Sequence, residues 1–114
     1  MAAYRTHDVL AWPSTYEGFG MVLVEAMSQG LPVVATPVGC ATSLVVDGVT
    51  GLRVPPRDSE ALGRALERLL GDPPLRVTLS AAALRTVESM SWTETARRTL
   101  ACYEHARRNV RRAA

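Results

Sequence analysis

The sequence predicts an α/β fold with about three short parallel strands and a helical C-terminal half. Two kinds of observation carry this. Val9–Trp12 and Pro32–Ala35 are short, wholly apolar runs, as expected of parallel strands covered on both faces. Beyond residue 57, three stretches open on helix-capping residues: Asp58-Ser59, Asp72-Pro73-Pro74 and Ser91-Trp92.

Taken in order, Val9–Trp12 is the first strand, Pro13-Ser14-Thr15 a loop, and Val22–Gln29 a helix with Val22, Leu23, Ala26 and Met27 on one face. Gly30 followed by Leu31-Pro32 is a left-handed helix stop, with Leu31 folding back on Ala26. Pro32–Ala35 is the second strand, and with its crossover helix it makes a βαβ unit. Thr36–Gly39 is then a loop at the carboxyl end of that strand, where open α/β sheets bind ligands. Leu44–Val46 reads as a short helical turn closed by Asp47-Gly48, and Gly51–Val54 as a third strand ending at Pro55-Pro56.

The next helix, capped by Asp58 or Ser59, carries Leu62, Leu66, Leu69 and Leu70 as a core stripe and stops at Gly71. Another runs from Pro73 to about Val87, with proline acceptable in the first turn. In the last helix Ser91-Trp92-Thr93-Glu94 forms a capping box, and Ala96, Leu100 and Tyr103 lie along one side. The chain thus divides into a βαβ core of about residues 8–56 and a helical region of about 58–112 within one small domain. Strand one or strand two is expected to leave an unpaired edge, which with a bare apolar helix face invites self-association.

The chemistry concentrates in Tyr16-Glu17-Gly18-Phe19-Gly20-Met21-Val22-Leu23-Val24-Glu25, where two carboxylates stand eight positions apart across the entry into the first long helix. Gly18 and Gly20 lack a Cβ, so a ligand can approach the backbone, and the first free N–H groups of the helix point at the same crevice. An anion suits that position. Glu25, about one and a half turns into the helix, can accept two hydrogen bonds from a vicinal diol such as a ribose. The pattern therefore points to a nucleotide-sugar site, although a helical glutamate is ordinarily a solvated surface residue.

Pro13-Ser14-x-x-Glu17-Gly18-Phe19-Gly20-x4-Glu25-Ala26-Met27-x-x-Gly30-x-Pro32-Val33-Val34-Ala35-Thr36 resembles the signature of the GT-B-fold retaining glycosyltransferases of family 4, including their Glu-x7-Glu motif. Asp47-Gly48-Val49-Thr50-Gly51-Leu52-x-Val54-Pro55-Pro56-x-Asp58 resembles the next block of that family, and Ser91-Trp92 its ending. The resemblance runs from Tyr4 to Ala106 and implies the C-terminal part of a Rossmann-like donor-binding domain, the second of two such domains. It further implies that Glu17 contacts the hydroxyls of a nucleotide diphosphate sugar and is the catalytic candidate. The backbone of Phe19, Gly20, Met21 and Val22 would meet sugar and phosphate beside Gly18, and Glu25 would clamp the ribose.

By the same resemblance no metal or other cofactor is required, and the sequence has no Asp-x-Asp pair to hold one. Where the family reads Gly-Gly-x-x-Glu after the second strand, this chain reads Gly39-Cys40-Ala41-Thr42-Ser43. The diphosphate-gripping cations, the base-recognition residues and the acceptor domain lie upstream in the family. A truncated or partial gene product is therefore expected, inactive alone and partnered by the missing N-terminal GT-B domain. The alternative is a non-catalytic remnant that binds a partner chain.

Composition fits an ordinary globular protein, with 114 residues, 47% hydrophobic and 21% charged. The net charge is +2, and six arginines fall after residue 96: Arg97, Arg98, Arg107, Arg108, Arg111 and Arg112. Apart from Tyr103 they have no interleaved aromatic platform, so a solvated helix face is expected and no nucleic-acid partner. Cys40 and Cys102 belong to no Cys-x-x-Cys or Cys/His cluster, which suits a reducing compartment. With no transmembrane segment and no signal peptide, a cytoplasmic location is expected. His7 and His105 are expected in structural or surface roles.

Overall fold

Capping residues and apolar spacing put most of the chain in helices, and three short strands form a sheet between them. The computed structural model describes residues 2–113, with side chains from 3 to 108; the side chains of Arg111 and Arg112 lie outside the described residues. In chain order the elements are α1 (Ala2–Arg5), β1 (Leu10–Trp12), α2 (Met21–Ser28), β2 (Val33–Ala35), α3 (Ala41–Leu44), β3 (Leu52–Arg53), α4 (Ser59–Gly71), α5 (Pro73–Glu88) and α6 (Trp92–Ala113).

The sheet has the order β1-β2-β3 and is wholly parallel. Leu10, Ala11 and Trp12 pair with Val33, Val34 and Ala35, and Val34 and Ala35 pair with Leu52 and Arg53. The middle strand is therefore β2, so the unpaired edges belong to β1 and β3 and not to the second strand. Val33 and Ala35 face a core made with Trp12, Leu23, Ala26 and Met27, while Val34 faces the opposite core with Leu52, Val54, Leu69 and Leu79. Alternation along one apolar strand thus feeds two layers, and α5 closes both by placing Ala83 and Val87 in the first and Leu79 in the second.

The stop of α2 follows the sequence closely. Gly30 is left-handed with φ 73, its N–H donates to the Met27 carbonyl at 3.1 Å, and Leu31 N–H donates to Ala26 at 3.0 Å. This is the Schellman arrangement, with Leu31 buried in the same core as Ala26. Asp58 caps α4 by accepting from Ala61 N–H at 2.8 Å, and Asp72 caps α5 through Leu75 N–H at 2.9 Å.

Elsewhere the structure differs from the expectation. The helical turn after β2 is Ala41–Leu44, ahead of the expected Leu44–Val46, and Val45 is already extended. Contacts from farther along the chain decide this. Arg53 donates to the carbonyls of Ala41, Thr42 and Val45, while the Thr50 hydroxyl accepts from Val46 N–H at 2.8 Å and donates to the Leu44 carbonyl at 2.6 Å. These bonds take the groups that a continuing helix would need. Asp47 then accepts from Arg53 N–H at 2.8 Å, so Asp47, Thr50 and Arg53 hold this corner together.

Two apolar assignments also change. Val22 is 45% exposed at the open first turn of α2 and Leu70 is 57% exposed, so the buried residues are Leu23, Ala26 and Met27 in α2 and Leu69 in α4, with half-buried Leu62 and Leu66 packed beside Leu69. Ser91 caps α6 by accepting from Glu94 N–H at 3.2 Å, but the Glu94 carboxylate turns to Arg97 and Arg98, leaving the reciprocal half of the capping box unmade. The side chains of α6 up to residue 108 are exposed apart from half-buried Glu94, with Trp92 at 89% and Tyr103 at 67%. The molecule is accordingly long, 62 × 27 × 23 Å, with a radius of gyration of 17.5 Å. A compact chain of this length has about 13 Å.

Candidate functional site

The carboxyl end of β1 runs through Pro13–Gly20 into α2, and this loop is tied down from the segment that follows β2. The Thr36 hydroxyl donates to the Ser14 carbonyl, Thr36 N–H donates to Trp12 at 3.3 Å, and Cys40 N–H donates to Phe19 at 2.7 Å. Two glycines make the approach possible. At Gly39, with φ 51, a Cβ would lie 2.7 Å from the Phe19 carbonyl oxygen and 3.1 Å from the Glu17 side chain; at Gly20, with φ 97, it would lie 2.8 Å from the Trp12 ring and 3.3 Å from Cys40 Sγ. Neither position accepts another residue without a shift.

Glu17 is half-buried and rests against the backbone of Gly39. The Cys40 thiol donates to the Gly20 carbonyl at 3.5 Å. Burial pushes that thiol up, its backbone hydrogen bond pulls the other way, and the Glu17 carboxylate adds a further upward push. Cys40 is thus a packed residue under the loop, and the glycine it replaces in the sequence pattern is not needed for the two loops to meet.

At the start of α2, Gly20 makes no side-chain cap. Its carbonyl already accepts from Leu23 N–H at 3.0 Å, so the groups left facing the crevice are N–H groups of the first turn. Gly18 is exposed and a Cβ there would meet nothing within 4 Å. Phe19, Met21 and Val22 expose their side chains, and Phe19, Met21 and Val24 line one wall of a cleft of about 430 Å³ whose other wall is Met90, Trp92 and Thr95.

Glu25 is half-buried one turn farther on and accepts a hydrogen bond from the Tyr4 hydroxyl at Oε2, 3.0 Å. The Tyr4 phenol is pushed up, first by this bond, then by desolvation and by the Glu25 charge. Glu17 and Glu25 therefore have different neighbours: one is set by the Gly39-Cys40 turn, the other by α1. Sequence reading missed both settings. A tyrosine 21 positions upstream carries no local mark of its partner, and Cys40 read as a departure when it is a contact.

His7 closes α1, its Nδ1 lying 2.7 Å from the Ala3 carbonyl, and stands apart from the loop. Among the described residues no group of three or more His, Cys, Asp and Glu side chains converges to hold a metal, and no helix is long and apolar enough to cross a membrane.

The sequence pattern of the glycosyl transferases group 1 matches residues 1–86. The chain belongs to this family. D-inositol 3-phosphate glycosyltransferase of Kribbella flavida is 43% identical over 103 residues, covering 90% of this chain and 24% of that protein. Among solved structures, sucrose-phosphate synthase from Thermosynechococcus elongatus superposes with a TM-score of 0.81 at 37% identity, over 91% of this chain and 26% of that one. Anabaena HepE, solved in complex with UDP-glucose, gives 0.72 at 33% identity over 76% of this chain and 24% of that one.

This group 1 glycosyltransferase chain thus spans about a quarter of the length of these relatives. Its three parallel strands and helical C-terminal half match the C-terminal, Rossmann-like domain of GT-B glycosyltransferases.

Proposed function

We propose that the chain is the donor-binding portion of a retaining family 4 glycosyltransferase, acting with an acceptor-binding first domain in the cytoplasm. The observation that supports this is the pinned loop-to-helix turn at the carboxyl end of the sheet, where half-buried Glu17, the uncapped first turn of α2 and half-buried Glu25 follow one another along the chain. A nucleotide diphosphate sugar has matching parts: hydroxyls for Glu17, a diphosphate for the backbone of Phe19, Gly20, Met21 and Val22, and a ribose diol for Glu25. Exposed Gly18 leaves room for the sugar to come close.

During transfer the bond between the anomeric carbon and the diphosphate oxygen breaks. The ring carbon gains oxocarbenium character while negative charge grows on the departing diphosphate. The first turn of α2 stabilises that charge by fixed N–H dipoles, without a metal ion. Glu17 orients the sugar so that the acceptor oxygen bonds to the anomeric carbon on the face the diphosphate leaves, its proton passing to the departing diphosphate oxygen, and the anomeric configuration is kept. The relative solved with UDP-glucose supports this ligand class.

A second reading, an interaction module without catalysis, is favoured by the bare apolar side of α6, where Leu100 is 63% and Tyr103 67% exposed. Grafting residues 1–114 in place of the matching segment of a two-domain relative separates the two. The enzyme reading expects transfer that survives chelating agents, a product with the donor's anomeric configuration by proton NMR, and loss of turnover in Glu17→Ala. A folded chimera that binds no nucleotide sugar overturns it in favour of the module.

A further inference from the structure

We infer that Tyr4 is a positioning residue for the Glu25 carboxylate, holding it in the one orientation that can grip a vicinal diol. The inference rests on the ribose-clamp reading of Glu25. The geometry is direct: the Tyr4 hydroxyl donates to Glu25 Oε2 at 3.0 Å across 21 positions of sequence, joining α1 to α2. A glutamate on a helix surface ordinarily samples several rotamers, and its carboxylate plane turns freely. Here Tyr4 is itself half-buried against the core that α2 closes, so the donor it offers is fixed.

The stoichiometry suits a diol. A carboxylate has about four lone-pair positions. One on Oε2 is taken by the phenol, which leaves both lone pairs of Oε1 and one of Oε2 to accept two ribose hydroxyls. Anchoring at Oε2 also sets the plane in which those acceptors lie.

A purely structural role is the competing account, because Tyr4 and its neighbour Arg5 both latch α1 onto α2, Arg5 through Gln29 Oε1 at 3.2 Å. The two latches give a built-in control: breaking Arg5–Gln29 loosens α1 without touching the carboxylate.

The test uses the 114-residue chain, Tyr4→Phe, Gln29→Ala and Glu25→Gln, titrated by NMR with uridine, adenosine and guanosine diphosphates and their 2′,3′-dideoxy forms. The readout is the ratio of the two dissociation constants, which a general loosening of the fold does not move. Tyr4→Phe keeps the ring and should lower the ribose preference about two- to tenfold, the factor associated with ordering one side chain. Gln29→Ala should leave it unchanged, and Glu25→Gln should abolish most of it.

A ligand-free arm accompanies this. Side-chain couplings should show Glu25 in one rotamer in the wild type and averaged in Tyr4→Phe. If Glu25→Gln lowers the preference and Tyr4→Phe does not, or if Glu25 stays ordered without the phenol, the role of Tyr4 is refuted while the clamp stands. If Glu25→Gln changes nothing, the clamp itself is refuted and the role of Tyr4 with it; if the wild type binds no nucleotide, the ligand-free arm decides, and a Glu25 side chain equally averaged with and without the phenol refutes the role of Tyr4.

Discussion

Gly20→Ala is a severe single-atom test of how the loop before α2 is built. Gly20 has φ 97, and an added Cβ would lie 2.8 Å from both Cζ2 and Cη2 of Trp12 and 3.3 Å from Cys40 Sγ. A left-handed conformation costs a non-glycine residue about 1–2 kcal/mol. The Trp12 ring is rigid and only 7% exposed, so it cannot swing away, and forcing a methyl against packed atoms costs a further 1–3 kcal/mol or so. The sum is about 2–5 kcal/mol, a large part of the roughly 5–15 kcal/mol that stabilises an ordinary domain. Urea unfolding followed by circular dichroism measures it. Gly18→Ala is the internal control, because its Cβ meets nothing within 4 Å and its φ is not positive, so stability should stay within about 0.5 kcal/mol. In a Trp12→Phe background the steric part should vanish and the conformational part, about 1–2 kcal/mol, should remain. A Gly20→Ala cost below about 1 kcal/mol, or one equal in both backgrounds, would refute this account of the loop.

Three further outcomes are expected. Arg53→Ala removes the guanidinium donor from the carbonyls of Thr42 and Val45 and leaves Ala41 with Val45 N–H alone, and should cost about 1–3 kcal/mol in the same urea assay, with hydrogen exchange speeding up around α3. Iodoacetamide should label exposed Cys102 at once and buried Cys40 only as the protein unfolds, since burial shields the Cys40 thiol and pushes it up; equal rates would contradict the packing beneath the loop. Glu94 is held down to about 2 by its hydrogen bonds to Arg97 and Arg98. A depressed carboxylate stabilises above its unfolded value of 4.5 and loses that contribution as pH falls toward 2, so the first turn of α6 should fray across that window in backbone NMR, and Glu94→Gln should remove the dependence.

What could be read in advance was what neighbouring residues decide among themselves. The stop of α2 involves Ala26 to Leu31 alone, and the caps Asp58, Asp72 and Ser91 each bond an N–H three residues on. Their outcome depends on little beyond the local chain, so residue type and spacing suffice. The turn after β2 shows the opposite case. Local signals point to a helical turn at Leu44–Val46, yet it forms at Ala41–Leu44, where the deciding bonds come from Thr50 and Arg53, which no window of one helical turn includes.

The candidate site divides along the same line, and the division bears on how such sites evolve. Glu17, Gly18, Gly20 and Glu25 stand out in sequence because one loop and one helix must carry them in fixed spacing. The groups that set their orientation come from elsewhere: Cys40 and Gly39 beneath Phe19 and Glu17, Trp12 beneath Gly20, and Tyr4 beside Glu25. A change at Gly20 meets Trp12 and Cys40 together, whereas a change at position 40 meets only what its own side chain touches. The Cys40 backbone N–H reaches Phe19 whatever the side chain is, so the loop-to-loop bond itself tolerates substitution there. Cysteine at position 40 therefore leaves the loop anchored, with the thiol filling space under Gly20. Orientation of these candidate residues is thus carried by the packed surround, which their own spacing in the sequence does not show.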